Sequence, residues 1–249
     1  MNQVLLDIVN TGYVTKGDGN RIMLDSHIDD LCGSLLQRTI RKLRPAIALE
    51  VGLAHGISTL YILEAMSENG GQKLVGMDPA QFDEHWQGSG ISNIRKAGYD
   101  ALYEFHECTS QQLLPQLVQK GLRIDFAFID GWHTFDHALV DFFYIDQMLN
   151  DSGIVVFDDV GYPSIRRVCE FILTNRDYEI HDAVRYDEDV SAIMQVKRNI
   201  KNIILPLCKT DKTPNRKSRK KLSMLTNVYF LALKKINKDQ RRWDHFIHF

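Results

Sequence analysis

Acidic and imidazole side chains follow two of the apolar runs in this chain. The stretch FIDGWHTFDH carries Asp130 and His133, and the run GIVVFDD ends in Asp158 and Asp159. Residues of these types bind divalent cations, transfer protons, or begin a helix. The spacing alone leaves these three interpretations open, so the elements that carry the residues have to be considered next.

Short apolar runs alternate with amphipathic stretches over most of the chain. The predicted strands are 46–51, 73–78, 103–108, 124–130 and 153–159, and a helical pattern follows each of them. Five consecutive strand–helix units predict a doubly wound, Rossmann-like α/β fold. Its mostly parallel sheet is expected to have seven strands, with helices on both faces.

The remaining segments are predicted to complete this sheet and to cover it. Runs 178–184 and 226–236 are predicted to form a C-terminal antiparallel hairpin, and run 191–196 competes for the same position. Residues 1–45 are predicted to form an N-terminal helical cap, and 46–249 the main domain. That domain carries a basic insertion at about 197–221, with ten basic residues and one acid, which we interpret as a solvated surface rather than one facing an anion or a membrane.

The two acidic stretches are expected to meet at one edge of the sheet. A single helix joins the strands that precede them, and a right-handed crossover makes such strands parallel neighbours, about 4.8 Å apart. Crowded carboxylates repel one another unless a cation neutralises them, and their hard oxygens suit Mg²⁺ or a related divalent ion. We therefore predict Asp130, Asp158 and Asp159 as metal ligands, with the alternative that one of the adjacent pair faces a cofactor or caps a helix.

The exit of the first predicted strand has the features of a nucleoside site. Ligands of open α/β sheets bind outside the carboxyl ends of the strands. The stretch LEVGLAHGIS contains Glu50, Gly52 and Gly56, with Ser58 at a predicted helix start, but it lacks the G-x-G-x-x-G spacing of dinucleotide sites. Glu50 would repel phosphate and suit a cationic ligand, and Asp78, at the end of the second strand, would accept hydrogen bonds from ribose hydroxyls. The combination favours a positively charged nucleoside without phosphate.

The stretches ALEVGLAHGISTLYI, VGMDPAQ, FAFIDGWHTFDHALVDF and GIVVFDDVGYPS together resemble the class I S-adenosylmethionine-dependent methyltransferases. Within that class they are most similar to the bacterial branch with metal-dependent sugar and small-molecule O-methyltransferases. The resemblance covers about residues 40–176, and Ala54 stands where many members carry glycine. It implies a cofactor site for S-adenosylmethionine made by Glu50, Gly52, Gly56, Ser58, Asp78, Thr109, Ser110 and Asp130.

His133 is interpreted as the general base of such an enzyme. It lies in the turn before the predicted helix, where its ring can reach the same edge as the acids and remove the proton of an acceptor hydroxyl. His133 and His137 share the i, i+4 spacing of zinc-binding helices, but the pattern H-E-x-x-H is absent. His137 is interpreted as a surface or packing residue, and Thr134 or Asp136 as favouring the helix start.

Composition sets the broad class. The chain has 249 residues, 44% hydrophobic and 25% charged, as expected for one globular domain without a membrane span. Its four cysteines show no zinc or disulfide spacing, and its first residues lack the pattern of a signal peptide, which together predict a cytoplasmic protein.

These observations predict a divalent-metal-assisted O-methyltransferase acting on a hydroxyl of a small molecule or sugar. The alternatives are a nicotinamide-dependent oxidoreductase on the same fold and a non-catalytic module that binds nucleic acid. The acidic core outside the insertion argues against a nucleic-acid partner. Assembly into a homo-oligomer stays open.

Overall fold

A computed structural model describes residues 1–16, 19–186 and 222–249. Its main sheet has seven strands in the order β5-β4-β3-β6-β7-β9-β8, of which β3 to β7 are parallel. The strands are β3 (Ile47–Val51), β4 (Lys73–Met77), β5 (Tyr103–His106), β6 (Ile124–Ile129), β7 (Leu149–Phe157), β8 (Tyr178–Arg185) and β9 (Val228–Lys235). The strand order reverses between β3 and β6, and the doubly wound seven-stranded fold is therefore confirmed.

The C-terminal hairpin is confirmed as well. β9 lies antiparallel to both β7 and β8, so the hairpin closes one side of the sheet with β9 on the inside. The competing run 191–196 and the basic insertion at about 197–221 lie outside the described residues. β7 begins at Leu149, four residues earlier than predicted, because Leu149 pairs with Ile124 before a register shift in the ladder.

Helices cover both faces of the sheet. Side chains alternate along each strand, so Leu49 and Val51 pack on one face and Ala48 on the other. The helices are α1 (Gln3–Thr11), α2 (Asp30–Leu43), α3 (Ile57–Asn69), α4 (Ser89–Lys96), α5 (Ser110–Gln119), α6 (Phe135–Met148) and α7 (Pro163–Asn175). Residues of α1 to α4 share one apolar cluster with the sheet, and residues of α5 to α7 share the other.

The first 45 residues contain an element that the sequence analysis missed. Between α1 and α2 lies a short antiparallel hairpin of β1 (Tyr13–Thr15) and β2 (Arg21–Met23). Leu5, Leu35 and Leu36 are fully buried and belong to the same apolar cluster as α3. The boundary predicted at residue 45 stays a prediction. In the described part of the chain, no helix combines the length and apolar character needed to cross a membrane.

Candidate active site

The loop from β3 to α3 passes very close to the loop after β6. Gly52 has φ 93°, its amide donates to the Met77 carbonyl oxygen at 3.0 Å, and a Cβ there would lie 2.1 Å from the carbonyl oxygen of Asp130. Only glycine allows this approach. Ala54, at the position where the resembled class often has glycine, also takes a left-handed conformation, with φ 46°.

Glu50 is fully buried beneath this loop. Its two carboxylate oxygens accept hydrogen bonds from the hydroxyls of Ser58 and Thr59, both at 2.6 Å. Burial raises the pKa of Glu50 to about 8, against the effect of these two hydrogen bonds, and the charges of Asp130 and Asp78 raise it further. A cationic group bound nearby would favour the ionised carboxylate. Ser58 therefore contacts Glu50 instead of capping α3, whose N-cap is Gly56.

Asp78 holds the same loop from the β4 side. One of its oxygens accepts from the amides of Leu53 and Ala54 at 3.1 Å, and the other accepts from the amide of Ala80 at 2.8 Å. The side chain is buried. Asp78 lies at the edge where the sequence predicted it, and it shapes the loop in addition to any contact with a ligand.

Gln81 joins the β3–α3 loop to the start of α4. Its amide nitrogen donates to the Ala54 carbonyl oxygen and its amide oxygen accepts from Gly90, both at 2.9 Å. A Cβ on Gly56 would lie 3.2 Å from the Cα of Gly90, so the two segments are in close contact. Gln81 is fully buried, and these contacts give it a structural role.

His55 is a residue that the sequence reasoning missed. Its ring is buried, with Nδ1 2.7 Å from the Ser89 hydroxyl and Nε2 3.0 Å from Asp25, and Trp86 packs edge-on with ring centroids 4.8 Å apart. It thereby ties the β3–α3 loop to α4 and to the N-terminal segment. The sequence feature that could have identified it is a histidine inside a glycine-rich turn.

Thr109 and Ser110 lie at the carboxyl end of β5, as predicted. Thr109 is the N-cap of α5, and its amide donates to the side chain of Gln112 at 3.1 Å. Ser110 is buried and lies close to the Asp141 carboxylate of α6. Burial raises the pKa of Asp141 to about 6, against the effect of Ser110. Oδ1 of Asp141 is buried with no hydrogen-bond partner among the described residues.

The acidic stretches meet at the carboxyl ends of β6 and β7. His133 Nε2 lies 3.3 Å from Asp130 Oδ1 and 3.2 Å from Asp159 Oδ2. One ligand atom from each of these three residues lies within 4.8 Å of the others, a spacing that suits a metal ion. The structure therefore brings His133 into the acidic cluster that the sequence assigned to three aspartates.

Asp158 lies directly behind this group. One of its carboxylate oxygens accepts from the amide of Asp159 at 2.7 Å. Burial, followed by the charges of Asp130 and Asp159, raises the pKa of the Asp158 carboxyl. Burial likewise raises the pKa of Asp130 and of Asp159. The hydrogen bond to Asp130, followed by the acidic charges, raises the pKa of His133. Burial is thus the main cause of the raised pKa of each carboxyl, and the charges of neighbouring acids add to it at Asp130 and Asp158.

Aromatic residues border the cluster. The ring centroids of His133 and Tyr162 lie 5.9 Å apart. Trp132, next to His133 in the chain, is 69% exposed. Ser164, at the start of α7, donates to the backbone carbonyl of His133 at 2.7 Å and so fixes its position. His137, by contrast, bonds the hydroxyl of Thr134, the N-cap of α6, at 2.8 Å.

Comparisons with known proteins find a family model and several relatives that match part of this chain. Residues 49–160 match a family model described as Methyltransferase domain (Methyltransf_24). Catechol O-methyltransferase of Bos taurus is 23% identical over 157 residues, which are 61% of this chain and 55% of that protein. The chain thus spans little more than half the length of this curated relative.

Solved structures share the fold. An O-methyltransferase from Bacillus cereus, in complex with SAH, superposes with a TM-score of 0.64 at 15% identity, covering 95% of this chain and 92% of its own. TomG, an O-methyltransferase from Streptomyces achromogenes in complex with SAM, gives 0.61 at 16% identity, covering 95% and 91%. The sheet order and these matches agree with the predicted class: residues 49–160 are similar to a methyltransferase domain, and the chain shares its fold with solved O-methyltransferases bound to SAM or SAH.

Proposed function

We propose that this protein is an S-adenosylmethionine-dependent, divalent-metal-assisted O-methyltransferase that acts on a hydroxyl of a small molecule or sugar. The observation that carries this proposal is the convergence of Asp130, His133 and Asp159 next to the β3–α3 loop. This position lies beside the point where the strand order reverses, which is where doubly wound folds bind their ligands.

The cofactor is proposed to lie across the ends of β3, β4 and β5. Glu50 and Ser58 would face the cationic amino-acid end, with Asp130 beside them, and Gly52 and Gly56 would let the backbone approach it. Asp78 would accept from the ribose hydroxyls, since a carboxylate oxygen can accept more than one hydrogen bond. Thr109 and Ser110 would border the adenine. The buried carboxylate of Glu50 supports this orientation of the cofactor because it would attract the positively charged amino-acid end.

The acidic cluster fits a divalent cation. Asp130 and Asp159 would hold the ion, with Asp158 as the third predicted ligand. Burial raises the pKa of all three carboxyls, and a bound cation would favour their ionised forms. A bound divalent ion would lower the pKa of a coordinated hydroxyl and neutralise the carboxylates.

His133 would remove the proton of the acceptor hydroxyl. Its Nε2 faces the carboxylates of the cluster, and the hydrogen bond from Ser164 to its backbone carbonyl holds this part of the chain in place. S-adenosylmethionine would supply the methyl group, and its transfer to the deprotonated oxygen would break the sulfur–methyl bond and leave S-adenosylhomocysteine. The β3–α3 loop would hold the cofactor in line with the acceptor. The same geometry makes His133 a candidate metal ligand, and the two roles predict different effects on metal affinity.

The acceptor class is proposed from the site and from the relatives together. The exposed rings of Trp132 and Tyr162 provide flat surfaces beside the cluster, and the bovine relative is named for a catechol substrate. The comparisons do not favour a nicotinamide-dependent oxidoreductase or a nucleic-acid-binding module. Cys32, Cys108 and Cys169 are free thiols, which supports the proposed cytoplasmic location.

Transfer of a labelled methyl group from S-adenosylmethionine tests the proposal. The protein, with Mg²⁺ or Mn²⁺, should label members of a panel of catechols, other phenols and sugars, with a mass increase of one methyl group. Asp130→Asn is the matched inactive control, since it keeps the shape of the side chain. Tight binding of NAD with no response to S-adenosylmethionine would overturn the proposal.

A further inference from the structure

A cleft lies at the opposite edge of the sheet from the candidate active site. It has a volume of about 390 Å³. It is lined by Arg123, Phe143, Asp146, Gln147, Arg176, Lys235, Lys238 and Asp239. Arg123 directly precedes β6, and Lys235 ends β9, which runs antiparallel to β7. The length of β6, about 20 Å, therefore separates this cleft from the acidic cluster.

Positive charge exceeds negative charge in this cleft. Four cations and two carboxylates line it. Including the neighbours Arg241 and Asp151 leaves the same excess of two positive charges. The carboxyl end of α6 contributes at most about half a negative charge through its helix dipole. The residues that line the cleft thus carry a net positive charge.

The two carboxylates of the cleft already form ion pairs with cations. Asp146 pairs with Arg176 and Lys235 and also accepts from the hydroxyl of Tyr178. Asp239 pairs with Arg176 and Arg241. Neither carboxylate contacts Arg123 or Lys238, so these two cations remain without a carboxylate partner among the residues described.

Lys235 provides charge to the cleft but no hydrogen-bond donor. Its ammonium is buried and directed to the carbonyl oxygens of Asp146 and Leu149, at 2.6 and 3.0 Å, and to the Asp146 carboxylate, at 3.2 Å. Burial lowers the pKa of Lys235 to about 8, and the charges of Arg123, Arg176 and Lys238 lower it further. An anion in the cleft would offset this repulsion among the cations.

Arg123 and Lys238 have donors left for a ligand. Arg123 bonds the side chain of Asn150 and the carbonyl oxygens of Gln147 and Leu149 through one N–H of each of its three nitrogens. A guanidinium carries five N–H groups, so two remain. Lys238 is exposed at the rim and makes no ion pair within the described residues. We propose that this cleft binds a small anion through a phosphate group held by Arg123 and Lys238.

The exposed ring of Phe143 forms one wall and offers a surface for the remainder of a phosphate monoester. Free phosphate and a phosphorylated metabolite share the recognised group. Titration with inorganic phosphate and with uridine monophosphate distinguishes these two sources, and uridine serves as the comparison without charge.

Calorimetric titration of the full chain should show saturable binding of inorganic phosphate or of uridine monophosphate, and none of uridine. Lys238→Gln should weaken this binding about tenfold, the effect of losing one charge-assisted hydrogen bond, and Lys238→Glu should abolish it. Lys96→Gln, the same change on the exposed side of α4, and Asp130→Asn, at the other edge of the sheet, should leave it unchanged. The absence of saturable binding, or binding that Lys238→Gln and Lys96→Gln weaken equally, would overturn the proposal.

Discussion

His133 lies at a position in the candidate site that suits both a general base and a metal ligand. Its Nε2 lies between Asp130 and Asp159, while its backbone is held by Ser164. A base acts on the acceptor alone, whereas a ligand also contributes to metal affinity. Substitution of this residue therefore separates the two roles.

We expect His133→Gln to lower turnover by ~10²- to 10⁴-fold, the range for loss of a general base, with metal and cofactor affinities nearly unchanged. Labelled methyl transfer measures the rate, and calorimetry measures both affinities. His137→Gln, four residues further along in the first turn of α6, is the matched control and should keep its activity. A large loss of metal affinity in His133→Gln would make His133 a ligand instead of the base.

The carboxylates of the cluster are predicted to bind the metal. Asp130→Asn and Asp159→Asn should each weaken Mn²⁺ binding by at least ~10- to 100-fold, the effect known for outer-shell partners, because each loses a direct ligand. Chelation should abolish turnover of the unmodified protein, and added Mg²⁺ or Mn²⁺ should restore it. Asp136→Asn removes an exposed acid of the same segment and should change neither property. Full turnover in excess chelator would refute the metal assignment.

Among the elements, the β3–α3 loop is the most tightly constrained. Gly52→Ala should lower the free energy of unfolding by ~3 kcal/mol or more, because a Cβ would collide with the Asp130 carbonyl and φ 93° strains a side chain. Gly70→Ala is the matched control, with φ 72° and no atom near the added Cβ, and should cost only ~1 kcal/mol. Denaturant unfolding measures both, and equal losses would show that the close approach is not limiting.

His55 links this loop to the N-terminal segment, and its protonation should weaken the link. Burial lowers its pKa and the charges of His85 and Lys16 lower it further, although Asp25 acts in the opposite direction. The stabilising contribution of a neutral His55 is therefore complete above the unfolded value of about 6.5 and is lost as pH falls through the lower folded value.

Unfolding free energies measured from neutral pH to below pH ~6 should accordingly fall less steeply for His55→Gln than for the unmodified chain. His27→Gln, an exposed histidine of the same N-terminal segment, should leave the slope as it is. An unchanged slope in His55→Gln would show that other groups cause the loss.

At the scale of the whole molecule, the proposed cofactor site lies at the carboxyl edge of the sheet, whose two faces each carry one of the apolar clusters. Ligand that binds only the folded state, at ~100 times its Kd, adds about 2.7 kcal/mol, which corresponds to a rise of roughly 5–10 °C in Tm for a chain of this size. We expect S-adenosylhomocysteine to raise Tm by such an amount, measured by calorimetry, and NAD to leave it unchanged.

Asp78→Asn should reduce this rise in Tm. Asparagine keeps one oxygen for the backbone amides of the loop but offers fewer acceptors to a ribose. Gln112→Ala, which removes a capping contact at α5, controls for general loss of stability at the same edge. A full rise in Tm with Asp78→Asn would remove Asp78 from the cofactor site.

Much of the fold could be predicted because its signals are local. The alternation of apolar runs and amphipathic stretches predicts the parallel strands and their helices, and the topology then places acids that follow strands at one edge. Asp130 and Asp159 meet there for this reason. The family resemblance added the cofactor, whose individual contacts stay predictions.

The tertiary structure alone decided which distant groups became partners. The sequence does not show that His55 bonds both Asp25 and Ser89, or that Ser110 lies buried beside Asp141. The sequence also does not predict the cationic cleft, because Arg123, Arg176 and Lys238 come from separate elements. The periodicity of apolar residues indicates which face of one strand or helix is buried. These contacts depend instead on how separate elements pack together, and that packing is set by the burial of apolar surface over the whole chain.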